Sequence, residues 1–268
     1  MALASLAMYD LPGLEAATNA WWAGLAAALR AEGLSEVPAA LTRGGDLTAQ
    51  LTSPELLFGQ TCGYPLTHAL AGKVTLVATP VYACPGCAEG MYHSEILVRG
   101  DDGAGDLGEL RGRRAAVNGS NSQSGYSALR HAVAGLAEDG RFFGAVETSG
   151  SHLRSMEMVA AGQADVCAID CVTYRLLRRL RPDSAGRLRV LAATADAPAL
   201  PYVTRRHIDA SELARLRAGL GRACADPALE AVRGELLLAG VVVKPLSDYD
   251  RILELEAAAL AAGYPAVA

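Results

Sequence analysis

The 268-residue sequence predicts an α/β protein built as two lobes. Three features predict it. Strands and helices alternate almost throughout, the pattern of α/β chains with mostly parallel sheets. A Gly- and Asp-rich stretch, Gly100–Gly108, interrupts the alternation and precedes a compact βαβαβ block. Beyond the block, Ala197-Pro198-Ala199-Leu200-Pro201 reads as a segment carrying the chain back. The expected division is a discontinuous first lobe, residues 1–99 and 196–268, with residues 100–195 inserted as the second. The C-terminal tail is expected to pack on the first lobe, and a cleft between two α/β lobes is a favoured ligand site.

The elements follow in order. A strand at Leu3–Tyr9 ends at Asp10 and leads to a helix over about Leu14–Ala31, with Gly33 just past its end. A short strand is expected near Val37–Leu41. Ser53-Pro54-Glu55 predicts a short helix, with serine as N-cap and proline at its first position. Strands at Leu57–Gln60, Val74–Thr79 and Ser94–Arg99 follow. In the block, the strands are Arg114–Val117, Phe143–Glu147 and Asp165–Ile169. A helix follows each: one running to about Leu136, one to Ala161 closed by Gly162, and one bearing Arg175, Arg178, Arg179 and Arg181. Leu188–Ala193 is the next strand. The tail holds two helices, a strand at Val241–Val243 and a last helix over about Ser247–Ala262.

Composition excludes several classes. Hydrophobic residues make up 51% and aromatics only 5%, so Ala, Leu and Val must fill the core. The balance of 24 basic to 29 acidic residues gives a net charge of −5, whereas a nucleic-acid binder usually carries a basic excess on one face. The arginine cluster reads as the solvated face and last turn of its helix, where cations suit the dipole. No apolar run reaches the ~18 residues that span a membrane. The first ten residues lack a basic leader region, so the expected location is cytoplasmic as given, or periplasmic if translation starts upstream. No Walker loop, HExxH or GxSxG motif is present. Cys84-Pro85-Gly86-Cys87 follows a strand instead of opening a helix, where a thiol pKa would be lowered. No catalytic residue, metal or cofactor is expected, and a monomer is.

Ligands of open α/β sheets gather at the carboxyl ends of strands. Three strand ends in the block carry polar residues before a helix. The first is Asn118-Gly119-Ser120-Asn121-Ser122-Gln123-Ser124-Gly125-Tyr126, where a helix N-terminus offers unpaired N–H groups to an anion, Ser122 and Ser124 add hydroxyl donors, and Gly125 lets a ligand approach the backbone. Either these serines donate to a ligand or one simply caps the helix. The second is Ser151-His152, with the imidazole in the first helical turn, as an anion donor or as a surface residue. The third is Asp170, which either meets the ligand or caps the next helix through Thr173. In the first lobe, Tyr9, Gln60 and Tyr64 occupy equivalent strand ends, and tyrosine suits a cleft wall.

At these residues the sequence resembles the phosphate/phosphite/phosphonate ABC-transporter substrate-binding family, of the type 2 periplasmic-binding-protein fold. That family opens a helix with Ser-Thr-Ser-Gly; here Ser122-Gln123-Ser124-Gly125 stands, with Gln123 in place of the threonine. The family's histidine a few residues before an Ala-x-x-x-Gly-x-x-Asp-Val run matches His152 followed by Ala160 to Val166. Its first-lobe tyrosines match Tyr9 and Tyr64, and its acid after a second-lobe strand matches Asp170. The likeness runs from about Leu3 to Thr204. It implies an α/β, two-lobed fold with an interlobe cleft, a small anionic ligand that is phosphate-like, phosphonate-like or carboxylated, and an ABC-transporter permease as partner. The same fold also hosts cytoplasmic enzymes such as chorismate dehydratase, and ligand-sensing subunits, which are the alternative expectations.

Overall fold

In a computed structural model, which describes residues 2–268, the chain forms two compact units. The first holds residues up to Met91 together with Pro198–Asp248, and the second holds Tyr92–Ala197 and Tyr249–Ala268. The first unit begins with β1 (Leu3–Ser5), α1 (Glu15–Ala31), α2 (Leu47–Leu51), β2 (Leu56–Gln60), α3 (Gly63–Thr67) and β3 (Val74–Tyr82). The short β4 (Met91–Tyr92) carries the first crossing. The second unit then runs β5 (Ser94–Arg99), β6 (Arg114–Val117), α4 (Ala128–Ala134), β7 (Ala145–Thr148), α5 (His152–Ala160), β8 (Val166–Asp170), α6 (Cys171–Leu180), α7 (Pro182–Ala185) and β9 (Leu188–Ala193). After β10 (Ala197–Pro198) the first unit gains β11 (Tyr202–Arg205), α8 (Ala210–Ala225), α9 (Glu230–Glu235) and β12 (Leu238–Val242). A third crossing, at Asp248/Tyr249, leads to α10 (Asp250–Ala261) in the second unit.

Both five-stranded sheets are mixed, which corrects the expectation of mostly parallel ones, and β4 pairs with β10 in a separate two-stranded ribbon. The first has the order β1-β2-β11-β3-β12, with β1–β2 parallel and β11 antiparallel to both β2 and β3. The second has the order β7-β6-β8-β5-β9, with β6 parallel to β7 and β8, and β5 antiparallel to β8 and β9. The crossings account for this. A strand that arrives from a crossing and one that runs toward a crossing point opposite ways in the same sheet, as β5 and β9 do.

Three boundaries differ from expectation for reasons outside the local sequence. The Gly100–Gly108 stretch is an internal loop between β5 and β6, where Asp102 accepts from the Ala104 N–H at 2.9 Å and Gly100 N–H donates to the Arg187 carbonyl at 2.7 Å. Strand β5, expected in the first lobe, lies inside the second sheet. Of the tail, Pro198–Asp248 belongs to the first unit as expected, but Tyr249–Ala268 belongs to the second: Ala259, Tyr264 and Val267 join Leu129, Val133, Phe142 and Phe143 in one buried cluster. The apolar stripe of α10 shows that it covers a surface but not which one.

Two local expectations also fail. Val37–Leu41 forms no strand, because the Val37 and Pro38 carbonyls are taken by Arg30 Nη2 (2.9 Å) and Trp22 Nε1 (3.2 Å). Ser53-Pro54-Glu55 is a turn in which Ser53 Oγ accepts from the Glu55 N–H at 3.1 Å. The helix lies just before it, as α2, capped by Asp46, which accepts from the Thr48 N–H at 2.8 Å.

The first core forms where α1 buries Trp21, Trp22, Leu25 and Leu29, residues spaced to share one helix face, and packs them partly on Phe58 of β2. Helix α8 crosses α1 at Gly219. A Cβ there would stand 2.7 Å from Leu29 Cδ2 and 3.1 Å from Leu29 Cα, and backbone cannot yield as a side-chain tip does. Gly219→Ala gains ~1 kcal/mol of helix propensity against ~1–3 kcal/mol of overpacking. The net expectation is a loss of stability in chemical denaturation; an unchanged or higher midpoint would show that the helices separate freely there.

At the start of β5, His93 lies 3.5 Å (Nε2) from Glu95 and 3.9 Å (Nδ1) from Asp196. The Glu95 hydrogen bond raises its pKa, opposed by burial and helped by the Glu95 and Asp196 carboxylates. A raised folded value gives stability that is present below the unfolded pKa of about 6.5 and is lost as pH rises through the folded one. The part of the stability that His93 contributes should therefore fall as pH rises above about 6.5, and His93→Gln should remove that part of the pH dependence. An identical slope in the variant rules out His93 as its source.

Candidate functional site

Strands β7, β6 and β8 lie side by side and parallel, so their carboxyl ends share one edge of the second sheet. The three polar strand ends noted in the sequence meet there. After β6, Ser122 opens a wide turn, Gln123–Ser127, in which the Ser127 N–H reaches back to the Ser122 carbonyl at 3.0 Å before α4 begins. Ser122 Oγ accepts from the Gly125 N–H at 3.0 Å, so it does cap this turn. After β7, Ser151 caps α5 by accepting from the Arg154 N–H at 3.1 Å, and His152 is the first helical residue. Asp170 ends β8 and caps α6 through Oδ1, which accepts from the Thr173 N–H at 2.8 Å.

His152 Nε2 is the meeting point. Ser124 Oγ lies 2.9 Å from it, Asn118 Nδ2 3.4 Å and Asp170 Oδ2 3.4 Å. Ser122, Gln123, Ser124 and Asp170 are buried, and the His152 side chain is 14% exposed. Burial pushes the His152 pKa down, against the Asp170 carboxylate and the Ala168 carbonyl, which favour the imidazolium. Burial likewise pushes Asp170 up, against His152 and the Thr173 contacts. Each partner thus offsets the other's desolvation. Ser124 and Asp170 meet the same ring nitrogen, so they do not form the serine–base–acid relay, which needs one partner on each nitrogen.

Gly125 has a steric role. A Cβ on it would fall 2.1 Å from Asn118 Oδ1, 2.7 Å from Asn118 Cγ and 3.0 Å from His152 Cε1. Two residues of the cluster were not singled out from the sequence as site residues. Asn118 opens the same polar run, four residues before Ser122. Ser94, at the start of β5, donates from Oγ to the Ser124 carbonyl at 2.9 Å; it comes from an antiparallel neighbour of β8 that local sequence does not reveal.

The first-unit candidates lie elsewhere. Tyr9 is buried edge-on to Tyr82, with ring centroids 5.2 Å apart. Gln60 Nε2 donates to Tyr82 Oη (3.0 Å) and to the Leu200 carbonyl (3.1 Å). Both line a small recess with Trp21 and Tyr202. Tyr64 stacks on His68 at 3.8 Å and does not line it. Cys84 and Cys87 flank a Pro85–Gly86 turn closed by the Cys87 N–H on the Cys84 carbonyl at 3.0 Å. Among the described residues, no helix is long and apolar enough to cross a membrane.

The family model for the periplasmic substrate-binding protein of the phosphonate ABC transporter matches residues 18–249. The chain belongs to that family, and is a solute-binding protein of the phosphonate-transporter type. The family is one of transporter binding proteins and not of enzymes, and it is periplasmic, so the expectation of a cytoplasmic location finds no support. No curated protein matches the chain. Among solved structures, PhnD1 of Prochlorococcus marinus in complex with methylphosphonate superposes with a TM-score of 0.79 at 13% identity, over 96% of this chain and 97% of that one. The binding-protein component of a Pseudomonas aeruginosa ABC phosphonate transporter also reaches 0.79, at 16% identity, over 98% and 87%. A Xanthomonas citri protein bound to ATP reaches 0.72 at 18% identity, over 98% of both chains. Likeness at these identities establishes the two-lobed fold.

Gly125→Ala should displace Asn118 and His152 while the backbone of the turn stays compatible with alanine. The expected result is a cost of ~1–3 kcal/mol in stability and altered His152 imidazole resonances in NMR spectra. Unmoved His152 resonances would mean that the cluster has room the distances do not show.

Proposed function

We propose that this family member binds a small phosphonate- or phosphate-like oxyanion in the periplasm and delivers it to an ABC permease, and that the anion is held by Ser122, Gln123, Ser124 and Gly125 with His152 and Asp170 beside it. The observation that supports this most is the meeting of three strand ends on His152 Nε2. The first turns of helices carry N–H groups free of intrahelical acceptors and a positive dipole end, which receive an anion without a cationic side chain. Asn118 and Ser124 add side-chain donors.

Asp170 sets the charge the ligand can carry. A fully ionised dianion would be repelled by a buried carboxylate. An oxyanion that keeps one hydrogen donates it to Asp170 Oδ2, as His152 Nε2 is placed to do in its absence. Tyr9, Gln60 and Tyr64 are proposed to hold the ligand from the first unit; of these, Gln60 is already committed to Tyr82 and Leu200.

The two serines should separate. Ser124→Ala removes a donor to the anion and is expected to weaken methylphosphonate or inorganic phosphate binding by ~1.5–3 kcal/mol, roughly 10- to 150-fold in Kd, with little change in melting temperature. Ser122→Ala removes the cap on Gly125 and should cost ~1 kcal/mol of stability in addition to any loss of affinity. Calorimetric titration with both anions, beside thermal melts, checks this. Neither anion titrating into wild type would defeat the ligand class, and a Ser124→Ala dissociation constant within twofold of wild type would move the anion elsewhere.

A further inference from the structure

The turn proposed to hold the anion is backed by a segment distant in sequence. Tyr126 lies within it, and its hydroxyl accepts from the Val267 N–H at 3.1 Å. Arg130 follows four residues later, on the same helical face. It is 4% exposed, and it donates from Nη1 to the Pro265 carbonyl at 2.8 Å and from Nη2 to Glu256 Oε1 at 3.0 Å. Val267 and Pro265 are themselves held. Tyr264 Oη donates to the Ala268 carbonyl at 2.8 Å and accepts from the Ala268 N–H at 2.9 Å. The Ala268 carbonyl also takes the Phe142 and Phe143 N–H groups, at 2.7 and 2.8 Å. The segment is thus tied to the turn, to α4 and to the entry of β7.

We propose that residues 249–268 act as a brace that positions the anion turn, with Tyr126 and Arg130 as positioning residues that keep Ser124 and Gly125 in register with His152. The wide turn is the reason a brace is needed. Its backbone bond from residue 127 to residue 122 holds one more residue than an ordinary helical turn, so an alternative regular turn is available to the same sequence. That alternative would rotate residues 124 and 125 away from His152. A buried Arg–Glu pair adds little net stability but fixes geometry, because the guanidinium fork accepts few arrangements. The brace enters the second unit through the third crossing, so the segment that fixes the anion turn is also a covalent continuation of the first unit.

This inference rests on the reading of Ser122–Gly125 as the anion turn, and its test separates the two. Tyr126→Phe removes one hydroxyl and keeps the ring; Glu256→Gln loosens Arg130 at constant size. Leu110→Val, in the same buried cluster, serves as a destabilised control. The readouts are thermal melts, His152 imidazole resonances in the ligand-free protein, and calorimetric titration of methylphosphonate and inorganic phosphate. The expected result is that Tyr126→Phe and Glu256→Gln shift the His152 resonances and weaken anion binding roughly 2- to 10-fold, while Leu110→Val lowers the melting temperature with neither effect. If the two variants only lower the melting temperature, as the control does, the brace is overturned and the segment is a core layer. If His152 shifts but neither anion binds even to wild type, the brace stands and the ligand assignment falls.

Discussion

The parallel pairing of β6 with β7 on one side and β8 on the other is the constraint on which the candidate site depends. It places Asn118, Ser149 and Asp170 at one edge of the sheet. A slip of one residue in any of these ladders would turn the strand-end side chains to the other face. The register is locked at the opposite edge. Arg114 and Asp165 are joined by a backbone bond, the Asp165 N–H to the Arg114 carbonyl at 2.8 Å, and by a backbone-to-side-chain bond, the Arg114 N–H to Asp165 Oδ2 at 2.9 Å. The Arg114 guanidinium reaches the same carboxylate at 2.7 Å and holds its pKa below the usual range. A surface ion pair of this kind is worth little in stability. Its placement at the first residue of β6 makes it a register pin.

Capping and the proposed recognition of the ligand use adjacent atoms of the same strand ends. Ser122, Ser151 and Asp170 each spend one side-chain oxygen on a helix or turn N-terminus. That spending aims Ser124, His152 and the second Asp170 oxygen at a common point. The proposed site therefore relies on helix and turn N–H groups and not on a lysine or arginine to favour a negative ligand. Arg130, buried on α4, is turned to the Pro265 carbonyl and Glu256 instead.

What was legible in the sequence was local. Arg114–Val117, Ser94–Arg99 and Leu188–Ala193 have the bounds expected, since each is a short β-compatible run between turn residues. Asp170 as a cap, and His152 in the first turn behind Ser151, follow from strand-end and helix-start patterns a few residues long. What stayed hidden is non-local. The start of β7 falls at Ala145, two residues late, because Phe142 and Phe143 give their N–H groups to Ala268. Ser94 reaches Ser124 only through the antiparallel pairing of β5 with β8, which joins segments far apart in the sequence. The Gly- and Asp-rich loop looked like a domain boundary because composition marks where backbone leaves a sheet, not which sheet it rejoins.

The third crossing has a consequence for how the protein is made. Synthesis delivers the chain from the N-terminus, and the buried cluster of the second unit includes Ala259, Tyr264 and Val267. When residues 92–197 have left the ribosome, that cluster still lacks one wall, and the β7 entry lacks its hydrogen-bond acceptor. The first unit is also open at that stage, because β11 fills the gap between β2 and β3 in its sheet. Neither half can mature as a stretch of nascent chain; both wait for segments made later, and they then close almost together. Contacts so far apart in sequence slow folding. A polypeptide wired this way completes both of its cores only after its last segments have been made.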